Sequence, residues 1–297
     1  MQNCIIEFLK HNKYNLLYKF MSKIIATDLD GTLFYPKDKK EMIYKPNLFF
    51  LQSFIDNGGK LVLISGRSFK YCQKVIKKIG RETAAVSYNG ACVYNGKNII
   101  FENTLNNKEA EGLIQEIADD YKNPGVFLMS DKGLFVHLRS KSKLVRQIYI
   151  WYYRSQKIYA EDLHVGEDLF YDQLRNGKIY KFMLFFGLGK RKRDLASKVT
   201  KILRSSDGNF EANWSGNVVE ITPKGCSKNV SLKFLLEQQG WSEKDLYVVG
   251  DSGNDISMFK EFHENSFCMG HSPRTVSKYA KYTIDKFEDL SRYIFEK

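Results

Sequence analysis

The sequence has no CxxC pair, and its five cysteines (Cys4, Cys72, Cys92, Cys226, Cys268) lie scattered along the chain. A zinc ribbon and a disulfide framework both need closely spaced thiols, so neither is expected, and a reducing, cytoplasmic compartment fits. None of the five histidines (His11, His137, His164, His263, His271) stands at metal-ligand spacing, and they are read as surface or packing residues. No apolar run approaches the ~20 residues that cross a bilayer. There is no internal repeat and no low-complexity tract. Residues 1–20 mix Ile5, Ile6, Leu9, Leu16 and Leu17 with Glu7, Lys10, Lys13 and Lys19. That mixture interrupts the apolar stretch a signal peptide needs, so 1–20 is expected to be an extension ahead of a domain starting near Met21.

What is present is ordinary for a globular protein. The 297 residues are 43% hydrophobic and 27% charged, enough for one large domain or two moderate ones with a core that needs no staples. The net charge is +12, which favours anionic partners. The bases are spread along the chain apart from Lys190-Arg191-Lys192-Arg193, which reads as the solvated start of a helix. A small anionic metabolite is therefore the expected partner, rather than nucleic acid or a membrane.

Short apolar runs at 23–27, 60–64 and 84–87 read as buried strands, with amphipathic helices at 46–56 and 69–79 between them. This alternation predicts a parallel sheet covered on both faces. The middle of the chain differs. Asn95-Gly96 and Asp131-Lys132-Gly133 are hairpin turns, each between two apolar stretches, and helices are expected at 143–153 and 191–204 around a strand at 180–186. Strand and helix then alternate again through 228–239, 246–249, 255–261, 267–269 and 288–295. The predicted fold is α/β, a Rossmann-like parallel-sheet core at 21–90 and 221–297 interrupted by an inserted α+β module at 91–220.

The core strands end in polar and acidic residues: Asp28-Leu29-Asp30-Gly31-Thr32, then Ser65-Gly66-Arg67, and later Gly250-Asp251-Ser252-Gly253-Asn254-Asp255. In an open α/β sheet, ligands bind beyond the carboxyl ends of the strands, so these segments are expected to converge on one crevice with Lys228 at a helix start. Four carboxylates in one crevice repel one another unless a cation joins them or some are protonated. Oxygen ligands alone select a hard ion, and Mg²⁺ is the usual choice. Ser65, Lys228 and Asn254 offer a hydroxyl, an ammonium and an amide to a phosphate dianion, and Gly66 with the following helix start offers backbone N–H groups.

This set, in this order, resembles the four motifs of the haloacid dehalogenase superfamily, and its spacing is similar to the Cof-type (subfamily IIB) branch, which carries a large C2-type α/β cap between the second and third motifs. Asn89-Gly90-Ala91 at the insert's start and Pro223-Lys224-Gly225-Cys226-Ser227-Lys228 at its end fit the same branch. The resemblance covers about 23–297. It implies a phosphatase acting on small phosphate monoesters, such as sugar phosphates or phosphorylated cofactors. Asp28 would be the nucleophile. Asp30 would be the acid and base, held protonated by its surroundings until it gives up its proton. Mg²⁺ would be held by the Asp28 side chain, the Asp30 backbone carbonyl and Asp251. Lys228 would neutralise charge on the phosphoryl group, and Ser65, Asn254 and the backbone at Leu29 and Gly66 would hold its oxygens.

Several residues admit plainer readings. Asp255 serves either to orient Lys228 or to cap the helix after it, and the two roles are compatible. Arg67 either meets the leaving group or pairs with an acid of the core. Asn89 is read first as a turn residue and the cluster Tyr149-Ile150-Trp151-Tyr152-Tyr153 as helix packing on the cap sheet. His271 follows Met269-Gly270 where the Cof branch usually has Asn-Ala, so no role carries over to that loop. A phosphomutase or sugar-phosphate-specific relative is the nearest alternative function. A non-catalytic phospholigand or nucleic-acid-binding protein is the alternative from another class.

Overall fold

The computed structural model describes residues 23–37, 40–121, 125–138, 147, 150–151 and 161–295. The expected extension at 1–20 and most of the expected helix at 143–153 lie outside the described residues.

In chain order the first elements are β1 (Ile24–Thr27), α1 (Lys45–Asp56), β2 (Lys60–Ile64), α2 (Phe69–Ile79), β3 (Ala84–Ser87), β4 (Cys92–Asn95) and β5 (Asn98–Glu102). A second group follows: α3 (Asn107–Asp120), β6 (Gly125–Ser130), β7 (Gly133–His137), β8 (Leu163–Val165), α4 (Glu167–Asn176), β9 (Ile179–Phe185), α5 (Lys190–Arg204), β10 (Phe210–Ser215) and β11 (Val218–Pro223). The chain closes with α6 (Lys228–Gln239), β12 (Leu246–Gly250), α7 (Ile256–Glu261), β13 (Ser266–Met269), α8 (Arg274–Ser277), β14 (Tyr282–Ile284) and α9 (Leu290–Phe295).

The strands form two sheets, ordered β14-β13-β12-β1-β2-β3-β4-β5 and β10-β11-β9-β6-β7-β8. From β14 to β3 all neighbours are parallel. Every residue of β1 and β12 is buried, which explains why they read as unbroken apolar runs instead of alternating ones. The second sheet is antiparallel except where β7 meets β8.

One boundary differs from the sequence reading, which put the Asn95-Gly96 hairpin in the inserted module at 91–220. The hairpin belongs to the first sheet, where β4 pairs antiparallel with β3 through Val86↔Val93 and Ser87↔Cys92. A turn signal identifies two partnered strands but not the sheet they join. The helices at 107–120 and 167–176 and the strand pair β10–β11 carried weaker signals and are additions to that reading.

Two apolar clusters cover the faces of the first sheet, and a third lies between the second sheet and α3, α4 and α5. The first of these also includes Met129, Leu134, Val136 and Tyr180 of the second sheet. At this junction the Tyr88 and Tyr180 rings stack at 4.4 Å, and the Tyr88 hydroxyl donates to the Ser130 carbonyl at 3.2 Å. The second sheet thereby lies over the polar strand ends of the first.

Candidate active site

Asp28 is set by the sheet itself. Its backbone N–H donates to the Val249 carbonyl at 3.0 Å, continuing the β1–β12 pairing one residue past β1. The chain then turns sharply. Gly31 has φ of +81°, and a Cβ there would collide with the Asp251 carboxylate, so glycine is required for conformation and for space. The next residue completes the link: the Thr32 hydroxyl donates to Asp251 Oδ1 at 3.0 Å.

Lys228 opens α6 and is 1% exposed. Its ammonium donates to Asp28 Oδ1 and to Asp255 Oδ1, both at 2.6 Å. Asp255 accepts with its other oxygen from the backbone N–H groups of Asp251 (3.0 Å) and Ser252 (2.9 Å). Both readings of Asp255 therefore hold, since it caps its own turn and orients Lys228. Carboxylate oxygens of Asp28, Asp251 and Asp255 come within 4.8 Å of one another. Those of Asp255 are already committed, which leaves Asp28 and Asp251 as the pair suited to a cation.

Ser65 follows β2, and its hydroxyl accepts from the Arg67 N–H at 3.2 Å. The α2 helix begins at once, capped by Ser68, whose hydroxyl accepts from Tyr71 N at 3.1 Å, and Gly80 ends it in the left-handed conformation. Asn254 donates to the Asn89 side-chain carbonyl at 3.3 Å, and Asn89 donates to Glu220 Oε2 at 2.5 Å. Asn89 has φ of +58°, so it is the turn residue expected, and it also links the strand ends to the second sheet.

The electrostatics are uneven. Burial drives the Asp28 carboxyl well above its ordinary value; Lys228 opposes this, while Asp255 and Asp251 reinforce it. Burial and the charge of Asp255 push Asp251 up to about 6. Burial lowers the pKa of Lys228, but Asp255 and Asp28 more than reverse that and raise it overall. Asp30 differs. Burial would raise its pKa, yet Arg67 outweighs burial and holds the carboxyl below its ordinary range, through Nε to Oδ2 at 2.7 Å and Nη2 to Oδ1 at 2.8 Å. The expectation that its surroundings keep Asp30 protonated is thus corrected: the guanidinium keeps it ionised. Arg67 pairs with an acid of the site.

These groups open onto a cavity of about 940 Å³. Asp28, Asp30, Ser65, Gly66, Arg67 and Asn254 line one wall, and the second sheet supplies the other. Four residues absent from the sequence-derived set now join it. Lys181 and Glu220 project from β9 and β11 with Nζ and Oε2 3.6 Å apart. Glu161 accepts from the backbone N–H and the hydroxyl of Ser68 at 2.9 and 2.5 Å. His271 stacks on Tyr35 and lies 4.0 Å from Asp251 Oδ2. Only His271 had a sequence signal, the departure after Met269-Gly270. Of the aromatic cluster, Ile150 and Trp151 line the cavity; Tyr149, Tyr152 and Tyr153 lie outside the described residues.

The family model for haloacid dehalogenase-like hydrolases matches residues 25–291. A Mycoplasma pneumoniae protein provisionally named as a phosphatase is 27% identical over 265 residues, covering 85% of this chain and 89% of that one. The 5-amino-6-(5-phospho-D-ribitylamino)uracil phosphatase of Bacillus subtilis is 24% identical, covering 80% and 84%. The pyridoxal phosphate phosphatase of Escherichia coli is 23% identical, covering 92% and 98%. The solved structure of a haloacid dehalogenase-like hydrolase from Bacteroides thetaiotaomicron shares the fold with a TM-score of 0.71 at 24% identity, covering 92% and 100% of the two chains.

Proposed function

This chain belongs to the haloacid dehalogenase-like hydrolases, and we propose that it hydrolyses small phosphate monoesters, with Mg²⁺, through an aspartyl-phosphate on Asp28. The observation that carries this reading is the Lys228 ammonium bridging Asp28 and Asp255 at 2.6 Å beside Asp251. The buried ammonium sets a fixed positive charge beside Asp28, at the open ends of parallel strands, where a phosphoryl group would meet that carboxylate.

The donor set fits a hard divalent cation. Among the described residues, three carboxylates cluster here, two of them share the Lys228 ammonium, and the third, Asp251, is pushed up to about 6 by burial beside Asp255. Asp28, Asp251 and the backbone carbonyl of Asp30 would hold Mg²⁺. Bound there, the ion offsets the repulsion among the carboxylates and the charge on the phosphoryl oxygens.

The chain's own groups then divide the work. The Asp28 oxygen turned away from Lys228 attacks phosphorus, and the bond to the leaving oxygen breaks. Asp30 delivers a proton to that oxygen and afterwards takes one from the water that cleaves the aspartyl-phosphate. The ionised Asp30 held by Arg67 suits the second half, so the first half requires substrate to draw Arg67 off Asp30. Ser65, Asn254 and the N–H groups at Leu29 and Gly66 hold the phosphate oxygens. The six-stranded unit is read as a cap that shields the cavity from water, with its first sheet strand at Gly125. The buried thiols of Cys72, Cys92, Cys226 and Cys268 are free, which suits the cytosol.

The test is phosphate release from a panel of phosphorylated metabolites, with Mg²⁺ or with chelator, for wild type and Asp28→Asn. Turnover that needs both the metal and Asp28 supports the reading. Undiminished turnover by Asp28→Asn defeats it.

A further inference from the structure

Helix α5 carries seven bases and one acid, Asp194, and four of the bases, Lys190-Arg191-Lys192-Arg193, are its first four residues. Cations are disfavoured at the start of a helix, where the macrodipole is positive, so helix stability does not account for the run. The first turn of α4 carries the ordinary choice, Glu167 and Asp168. Lys190, Arg191 and Arg193 are exposed, and among the described residues no acid pairs with any of the four bases.

Apolar side chains flank the run. Leu188, between Gly187 and Gly189, is 81% exposed, the most of any large apolar side chain among the described residues. The loop that presents it is held in place, since the Asn217 amide donates to the carbonyls of Gly187 at 2.6 Å and Gly189 at 3.3 Å. Asn217 belongs to the β10–β11 turn, and the indole of the exposed Trp214 donates to the Gly216 carbonyl of the same turn at 2.6 Å. Leu188 also lines the cavity, together with the exposed Trp151.

We propose that this face, Leu188 and Trp214 with Lys190, Arg191 and Arg193, docks reversibly on the surface of an anionic phospholipid bilayer. A bilayer meets both halves of the surface. Its headgroup phosphates attract the cationic heads, each base near the surface strengthening attachment about fivefold. Leu188 enters the acyl boundary, and Trp214 takes the interfacial level that indoles prefer. The long stems of lysine and arginine let their heads stay among the headgroups while leucine goes deeper. A nucleic acid matches the charge but leaves Leu188 in water, and a small anion engages only one or two of the bases. The proposal stands apart from the phosphatase reading, which assigns no role to these residues.

The experiment is flotation of the 297-residue chain with vesicles of phosphatidylcholine alone, or of phosphatidylcholine and phosphatidylglycerol in equal parts, with thermal melts to verify folding of each variant. Wild type should float with the anionic vesicles at low salt, and should be released at about 0.5 M salt, where screening confines attraction to a few ångströms. Lys190→Gln combined with Arg191→Gln should weaken binding about tenfold or more. Leu188→Ser, which changes no charge, should weaken it about threefold or more. Lys77→Gln combined with Lys108→Gln removes the same charge from other surfaces and should alter binding by less than about twofold. The proposal fails if the anionic vesicles float no protein, if Leu188→Ser binds as wild type does, or if the Lys77 and Lys108 pair loses as much as the Lys190 and Arg191 pair. It fails also if poly(U) binds more tightly than the vesicles and Leu188→Ser leaves that binding unchanged, which would give the face to nucleic acid.

Discussion

Arg67 holds Asp30 through two parallel hydrogen bonds, Nε to Oδ2 at 2.7 Å and Nη2 to Oδ1 at 2.8 Å, across 37 positions of sequence. The pair sets the charge of the group assigned to proton transfer. Removing a neighbouring cation raises a carboxyl's pKa, and burial, which Arg67 now outweighs, acts in the same direction. In Arg67→Met the limb of the kcat/KM profile that requires protonated Asp30 should therefore move to higher pH. Absolute rates should fall as well, because Arg67 lines the cavity, so the position of the limb is the measurement. A limb that stays put would remove Asp30 from the acid role.

Lys228 should matter to stability as well as to turnover. Replacing it with methionine leaves Asp28 and Asp255 buried side by side without their shared ammonium. Breaking a buried pair in this way costs about 3–5 kcal/mol. Urea denaturation without Mg²⁺ should show that loss for Lys228→Met, and adding Asp255→Asn should recover part of it. Strict additivity of the two changes would show that the groups are not coupled.

The acidity of Asp251 predicts how Mg²⁺ binding varies with pH. Its folded pKa, about 6, lies above the ordinary 3.8, so the folded state prefers it protonated. Without metal, the stability this group contributes is full below about pH 4 and is lost as pH rises through 6. Mg²⁺ needs the ionised form, so its affinity runs the other way and should strengthen between pH 5 and 7. Melting curves with and without Mg²⁺ across that range should show the metal's increment growing with pH. An increment of constant size would contradict the assignment of Asp251 as a ligand.

Glu161 should tie the second sheet's unit to the site. It accepts from the N–H and the hydroxyl of Ser68, at the start of α2, and its neighbour Asp162 pairs with Lys70 and Lys74. A charge-assisted contact of this kind contributes about 2 kcal/mol. Glu161→Ala should raise KM roughly tenfold or more and quicken proteolysis of the second unit, with Glu161→Gln between the two. Unchanged KM and proteolysis would mean that the contact holds nothing closed.

Much of the strand-end wall was legible because each piece is local. A run such as Ile24-Ile25-Ala26-Thr27 followed by Asp28 declares a buried strand and its polar end, and strand ends of a parallel sheet share one crevice. The same logic places Ser65, Asp251 and Asp255. The opposite wall was not legible. Alternation along Lys181-Phe182-Met183 marks two faces of a strand, but only packing decides that Lys181 and Met183 face the cavity while Phe182 enters the other core.

Strand ends carrying Asp28, Asp30, Ser65 and Asp251, and a helix start carrying Lys228, follow from short-range patterns, because apolar period and turn chemistry act over a few residues. Tertiary structure alone decided that Arg67 ionises Asp30, that Lys181 stands beside Gly66 and that the hairpin after β3 extends the first sheet. Those outcomes depend on distances between segments far apart in the chain, and a carboxyl's charge state answers to whatever folding brings within a few ångströms of it.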